Sequence, residues 1–218
     1  MVSGNNVTDR PQGPDSYARI ALSLADQGWC VTPDFLTPRL IGELIGEAER
    51  IWTAGGFRHA GVGRDPDLHI NPEVRTDHVR WLVPQAGSDA QRLYLQALEE
   101  LRQAINRELY LGLFEFEGHL AIYTPGSYYR KHLDQFRGIG LRTVTCILYL
   151  NRDWVAEDGG QLRLYTDPDE PSRYEEILPL GGQLVTFLSA RFLHEVLPAR
   201  RQRISITGWF RQHGGLNP

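Results

Sequence analysis

Apolar residues recur along this chain with two different periods, and the change from one to the other divides it. From Ser16 to Gly28, SYARIALSLADQG spaces Ile20, Leu22, Leu24 and Ala25 as a helix does, with Gly28 as its stop. WCVTPDF then reads as a short strand. A second helix follows, with Thr37 as its cap, Pro38 at its first position and Leu40, Ile41, Leu44, Ile45 and Ile51 along one face. Residues 55–73 are rich in Gly, Pro and charge, and VRTDHVRWLVP after them reads as a strand; together they suggest a long, mobile finger of the kind that closes over a site. A third helix is predicted from Asp89 to Tyr110, burying Leu93, Leu95, Leu98, Leu101 and Ile105.

Beyond residue 113 the period shortens. EFEGHLAIYTP, YYRKHLD, LRTVTCILYLN, GGQLRLY, EEILPL, QLVTFLS, HEVLP and RISITGWF follow one another, punctuated mostly by Gly, Pro, Asp or Asn. Eight short strands without long helices between them point to two packed sheets closed as a jelly roll. Helices that precede the sheet without alternating with it argue against a doubly wound parallel fold. The expected class is α+β: a double-stranded β-helix core with supporting N-terminal helices. All 218 residues are read as one domain, with a loose tail at 1–15, helices and finger at 16–113 and the core at 114–211.

Composition narrows the function classes. A net charge of −4 and a pI near 6.0 give no global basic field for nucleic acid or an anionic membrane. Cys30 and Cys146 are too few for a disulfide framework or a zinc site, and both sit in apolar runs. The first residues lack the basic and apolar regions of a signal peptide, and no apolar run reaches membrane-spanning length, so the expected location is the cytoplasm.

The candidate chemistry lies in the β-rich half. His132-Leu133-Asp134 falls in one predicted strand, His194 follows sixty residues after Asp134, and Arg203 nine after that. Residues i and i+2 of a strand share a face, so His132 and Asp134 are expected to point together into the barrel, with His194 arriving from another strand. Two imidazoles and one carboxylate on one face suit iron(II) and leave positions open. The spacing alone carries little specificity; the β-rich frame around it carries more. The other five histidines, His59, His69, His78, His119 and His213, read as structural or surface residues.

The stretch from Tyr123 to Phe210, through YTPGSYYRKHLD, RTVTCILYLNRDW, GGQLRLY, HEVLPA and RISITGW, resembles the catalytic core of the prolyl 4-hydroxylases that act on hypoxia-inducible factor and of their bacterial relatives. VRTDHVRW resembles the strand after their finger loop. The resemblance implies iron(II) on His132, Asp134 and His194, and 2-oxoglutarate with its distal carboxylate on Arg203 and Tyr149, near Tyr123. It implies O2 as co-substrate and ascorbate among the cofactors. Tyr129 and Trp209 match aromatics that contact the target proline, Arg142 a substrate-binding arginine, and Asp77 the acid that pairs with it. The implied reaction is C4 hydroxylation of a peptidyl proline in a protein, with release of succinate and CO2; for the bacterial relatives that protein is elongation factor Tu. Two other readings stay open: an oxygenase of the same fold acting on a free amino acid, small metabolite or other side chain, and a non-catalytic module that senses oxygen or 2-oxoglutarate.

Overall fold

The computed structural model describes residues 13–62, 69–135 and 142–213. Residues 1–12 of the expected tail, and the tip of the expected finger at 63–68, lie outside them. Three helices come first: α1 (Pro14–Asp26), α2 (Pro38–Thr53) and α3 (Asp89–Leu109), with short strands β1 (Trp29–Thr32), β2 (Arg58–His59) and β3 (His78–Trp81) between them. Helix α1 begins at Pro14, inside the segment expected to be loose.

The helix boundaries follow local chemistry. Thr37 accepts a hydrogen bond from the Leu40 amide, which satisfies one of the free N–H groups at the start of α2, and Pro38 takes the first position, where no N–H is needed. Ser88 does the same for Gln91 at the start of α3. Ser88 and Gln91 also donate to the two carboxylate oxygens of Glu47 at 2.6 and 2.8 Å, which ties α3 to α2. Helix α3 stops where Tyr110 turns left-handed at φ 52°.

Eight strands then run β4 (Leu113–Tyr123), β5 (Tyr129–His132), β6 (Arg142–Tyr149), β7 (Leu162–Tyr165), β8 (Tyr174–Ile177), β9 (Leu184–Leu188), β10 (His194–Val196) and β11 (Arg203–Gln212), one for each run read from the sequence. They form two antiparallel sheets. The major sheet has the order β1-β9-β6-β11-β4-β3-β2 and the minor one β5-β10-β7-β8. The middle of the major sheet and the whole minor sheet thus contribute four strands each, the arrangement of a jelly roll.

Register decides which residues reach the cavity. In the major sheet, paired residues share parity: Arg203 opposes Tyr123, Thr207 opposes Ile147, Thr145 opposes Phe187 and Val79 opposes Ala121. Side chains alternate across a strand, so one parity faces one side until the irregularity at residues 210–212, beyond which Leu113 joins the helix side and Arg142 the cavity. The even positions Leu120, Ile122, Val144, Cys146, Leu148, Leu184, Ile204, Ile206 and Phe210 pack with the apolar faces of the helices in one core. The odd positions Val79, Ala121, Tyr123, Ile147, Tyr149, Val185 and Phe187 face the minor sheet, where Leu162, Leu164 and Val196 meet them in a second core. The helices therefore back the outer face of the major sheet and leave the space between the sheets for the site.

Candidate active site

Among the described residues, one group has the chemistry of a metal site: His132, Asp134 and His194, whose potential ligand atoms all lie within 4.8 Å of one another. His132 ends β5 and His194 begins β10, and the two are direct partners across the minor sheet. Asp134 is placed differently from the sequence expectation. It lies on a bend beyond the end of β5, not on the strand, so the period-two rule does not deliver it. It reaches the histidines because Thr145 of β6 donates to its Oδ2 at 2.8 Å.

The imidazoles are oriented by backbone. His132 Nδ1 lies 2.7 Å from the Arg130 carbonyl and His194 Nδ1 3.1 Å from the Phe192 carbonyl. A carbonyl only accepts, so each Nδ1 carries a proton, which leaves Nε2 as the nitrogen that can bind a metal. Those Nε2 atoms stand 3.5 Å from Asp134 Oδ1 and Oδ2 respectively. Burial holds His194 down to about 4, against the pull of Asp134, so it is a neutral donor at ordinary pH. For Asp134 burial opposes the charge, but His194, then His132, and the nearby Trp209 outweigh it and hold the carboxyl well below its usual range. The Trp209 indole N–H exerts this influence without a well-formed hydrogen bond. Two imidazoles and an ionised carboxylate with no thiolate fit iron(II).

Arg203 stands at the start of β11, opposite Tyr123. It is 1% exposed, and its Nε donates to the Gly160 carbonyl at 2.9 Å. Among the described residues no carboxylate pairs with it. A buried guanidinium without a counter-ion is costly, so the position fits a dicarboxylate ligand that brings its own negative charge. Gly160 makes room for it: its φ is +68°, and a Cβ there would meet Arg203 Cδ at 3.0 Å. The Tyr123 and Tyr149 rings lie 4.9 and 5.0 Å from the guanidinium carbon. Burial raises both phenols, Tyr149 to about 12 with Arg203 acting against the shift. The Tyr149 hydroxyl has no well-formed hydrogen bond, and the residue lies off the cavity wall, behind Arg203.

The cavity between the sheets measures about 770 Å³, and its wall includes the three ligand candidates, Arg203, Tyr123, Tyr129, Arg142 and Trp209. Tyr129 stacks on His132 with ring centres 3.6 Å apart. The Arg142 guanidinium carbon lies over the Trp209 ring, 3.5 Å from its centre.

The 2OG-Fe(II) oxygenase superfamily model matches residues 118–211. A crystal structure of a Pseudomonas putida prolyl-4-hydroxylase superposes with a TM-score of 0.82 at 40% identity, covering 91% of this chain and 100% of that one. The chain belongs to the 2OG-Fe(II) oxygenase superfamily. Within it, the chain stands beside the prolyl hydroxylases. Human Egl nine homolog 1 is 32% identical over 191 residues, 84% of this chain, although the chain spans only 43% of that relative's length. A Trichoplax adhaerens prolyl hydroxylase, solved with a hypoxia inducible factor oxygen degradation domain peptide fragment, superposes at a TM-score of 0.80 with 26% identity, over 91% of this chain and 90% of that one.

The chain does not form the expected pair between Asp77 and Arg142. Asp77 takes a two-pronged salt bridge from Arg75, with Arg75 Nε and Nη2 at 2.8 and 2.7 Å, while Arg142 binds Glu117 at 2.7 Å. Arg75 wins because it is two residues away on the same segment and also covers the Tyr129 ring at 4.1 Å. Asp77 itself lies off the cavity wall. Sequence reasoning missed Arg75, Thr145 and His119. His119 of β4 is buried on the cavity wall against both the Trp81 and Trp209 rings, with its Nδ1 unpartnered. Its odd number on an alternating strand was the available signal.

Proposed function

We propose that this protein is an iron(II)- and 2-oxoglutarate-dependent dioxygenase that hydroxylates C4 of a peptidyl proline in a protein substrate. The observation that carries the reading is the pairing, across one cavity, of the His132/Asp134/His194 cluster with a buried arginine that has no carboxylate partner among the described residues. When bound, iron(II) and 2-oxoglutarate supply oxidative decarboxylation with O2, giving succinate and CO2, coupled to hydroxylation of a C–H bond.

The protein's own part is to hold, orient and exclude. His132 and His194 present Nε2, and Asp134 its carboxylate, from one side, leaving the opposite side open. Arg203 fixes the far carboxylate of the cosubstrate, with Tyr149 and Tyr123 against its guanidinium. His132, His194 and Arg203 stand on strands of the two sheets and Asp134 on a bend held by β6, so the distance between these anchors rests mainly on rigid elements. Trp209 and Tyr129 form the apolar wall that would receive the proline, with Arg142 over the Trp209 ring to bind the substrate. The segment leading into β3, which carries Arg75 and Asp77, would flank the substrate's path.

Elongation factor Tu, the target implied for the bacterial relatives, is the first protein to test. The purified enzyme is incubated with iron(II), 2-oxoglutarate, O2, ascorbate and elongation factor Tu. Succinate release and a gain of 16 Da on one proline are expected, both abolished by His132→Ala and Asp134→Ala. Turnover with a free amino acid or small metabolite, and none on protein, would replace the protein substrate with a small one. Binding of 2-oxoglutarate without succinate release from any of these would make the protein a sensing module.

A further inference from the structure

We infer that Thr145 and Ser189 are positioning residues for Asp134, a two-hydroxyl brace that makes the carboxylate a one-oxygen ligand. The inference rests on the metal reading above. Thr145 sits on the cavity-facing side of β6, between Thr143 and Ile147, and it and Ser189 are both fully buried. A hydroxyl in such a place is costly unless it is bonded. Thr145 Oγ1 lies 2.8 Å from Asp134 Oδ2 and 2.9 Å from Ser189 Oγ.

The direction of the chain is fixed by proton count. An ionised carboxylate only accepts, so Thr145 donates its single proton to Asp134, and Ser189 must donate to Thr145. Ser189 is in turn held by its own backbone, whose N–H donates to the Thr143 carbonyl at 3.0 Å. The brace therefore runs from the end of β9, through β6, to a residue that lies past the end of β5 and that no strand pairing fixes. It engages Oδ2 and leaves Oδ1 without a hydroxyl partner. A carboxylate pinned by one oxygen presents the other to a metal and does not swing to chelate with both. That keeps free the coordination positions a chelating cosubstrate and oxygen require.

The test is cobalt(II) binding to the purified metal-free protein, followed by affinity and by the visible spectrum of the bound ion. Thr145→Val keeps the shape and removes the donor; it is expected to weaken cobalt binding about tenfold, as loss of a hydrogen bond to a metal ligand commonly does, and to change the intensity of the spectrum. Thr145→Ser restores the hydroxyl and should bind like the parent. Ser189→Ala should shift both readouts in the same direction by less. A folded Thr145→Val protein with the parent affinity and spectrum overturns the inference. Should that variant not fold, Ser189→Ala decides alone, and parent-like behaviour overturns it. If the parent itself binds no cobalt, or binds it equally after His132→Ala, the metal reading fails first, which separates the two outcomes.

Discussion

Arg203 is nearly inaccessible, yet among the described residues it meets one carbonyl and two aromatic rings and no acid. A group like that is kept for a ligand, not for the fold. Arg203→Met should therefore weaken 2-oxoglutarate binding by about 2–5 kcal/mol, the usual range for losing one partner of a buried charge pair. It should leave the melting temperature of the ligand-free protein unchanged or raised, since a buried charge is replaced by an apolar chain. Calorimetric titration and a thermal melt check the two halves. His119 gives a second prediction. Burial, aided by the charge of Arg75, lowers its pKa to about 3 from the ordinary 6.5. Between those values the unfolded chain binds a proton that the folded one does not, so stability is complete above about pH 6.5 and falls as pH drops toward 3. His194, held to about 4, acts in the same direction in the metal-free protein. Urea midpoints from pH 7 to 4 should decline, and less steeply for His119→Gln.

At the scale of elements, the Arg75–Asp77 pair is the point of leverage. The Asp77 side chain is fully buried and that of Arg75 12% exposed. Arg75→Met should destabilise the protein by about 3–5 kcal/mol, because it strands a buried carboxylate, and Arg75→Met/Asp77→Leu should recover most of that loss. A double-mutant cycle of urea unfolding measures it. Helix α3 offers a simpler case. Leu98 is 1% exposed, and Leu98→Ala should cost about 2–5 kcal/mol. The helices and all eight core strands were legible because period and punctuation are local properties: Thr37-Pro38 starts α2 and Ser88 starts α3 wherever the chain goes next. The placement of Asp134 was not, because β5 stops at His132 and a hydroxyl on β6 finishes the job. Nor was the partner of Asp77, since Arg75 and Arg142 are equally plausible until the fold sets the distances. Of the ten expected site residues, the fold brings eight to the cavity wall and leaves Tyr149 and Asp77 off it.

For the molecule as a whole, the two cores separate support from chemistry. The helices seal one face of the major sheet, and the site occupies the other. Because the ligand set joins β5, β10 and the bend held by β6, a bound metal should stabilise the entire sandwich and not a single loop. Saturating iron(II) or cobalt(II), at a hundred times Kd, should add about 2.7 kcal/mol to the unfolding free energy. The gain should be absent after Asp134→Ala.

The shared parity of the major sheet has a consequence for how such a protein can change over generations. Where the register is unbroken, odd and even codons of β4, β6, β9 and β11 answer to different pressures: one set to the substrate, the other to the helices. Substitution can therefore explore chemistry without disturbing the support, one set at a time. Insertion cannot. A single added residue inside β6 or β11 exchanges the two sets downstream, turning Arg203's side of the sheet toward the helices, whereas two added residues restore it. The sheet behaves as a message with a two-letter frame, tolerant of changed letters and intolerant of a shifted one.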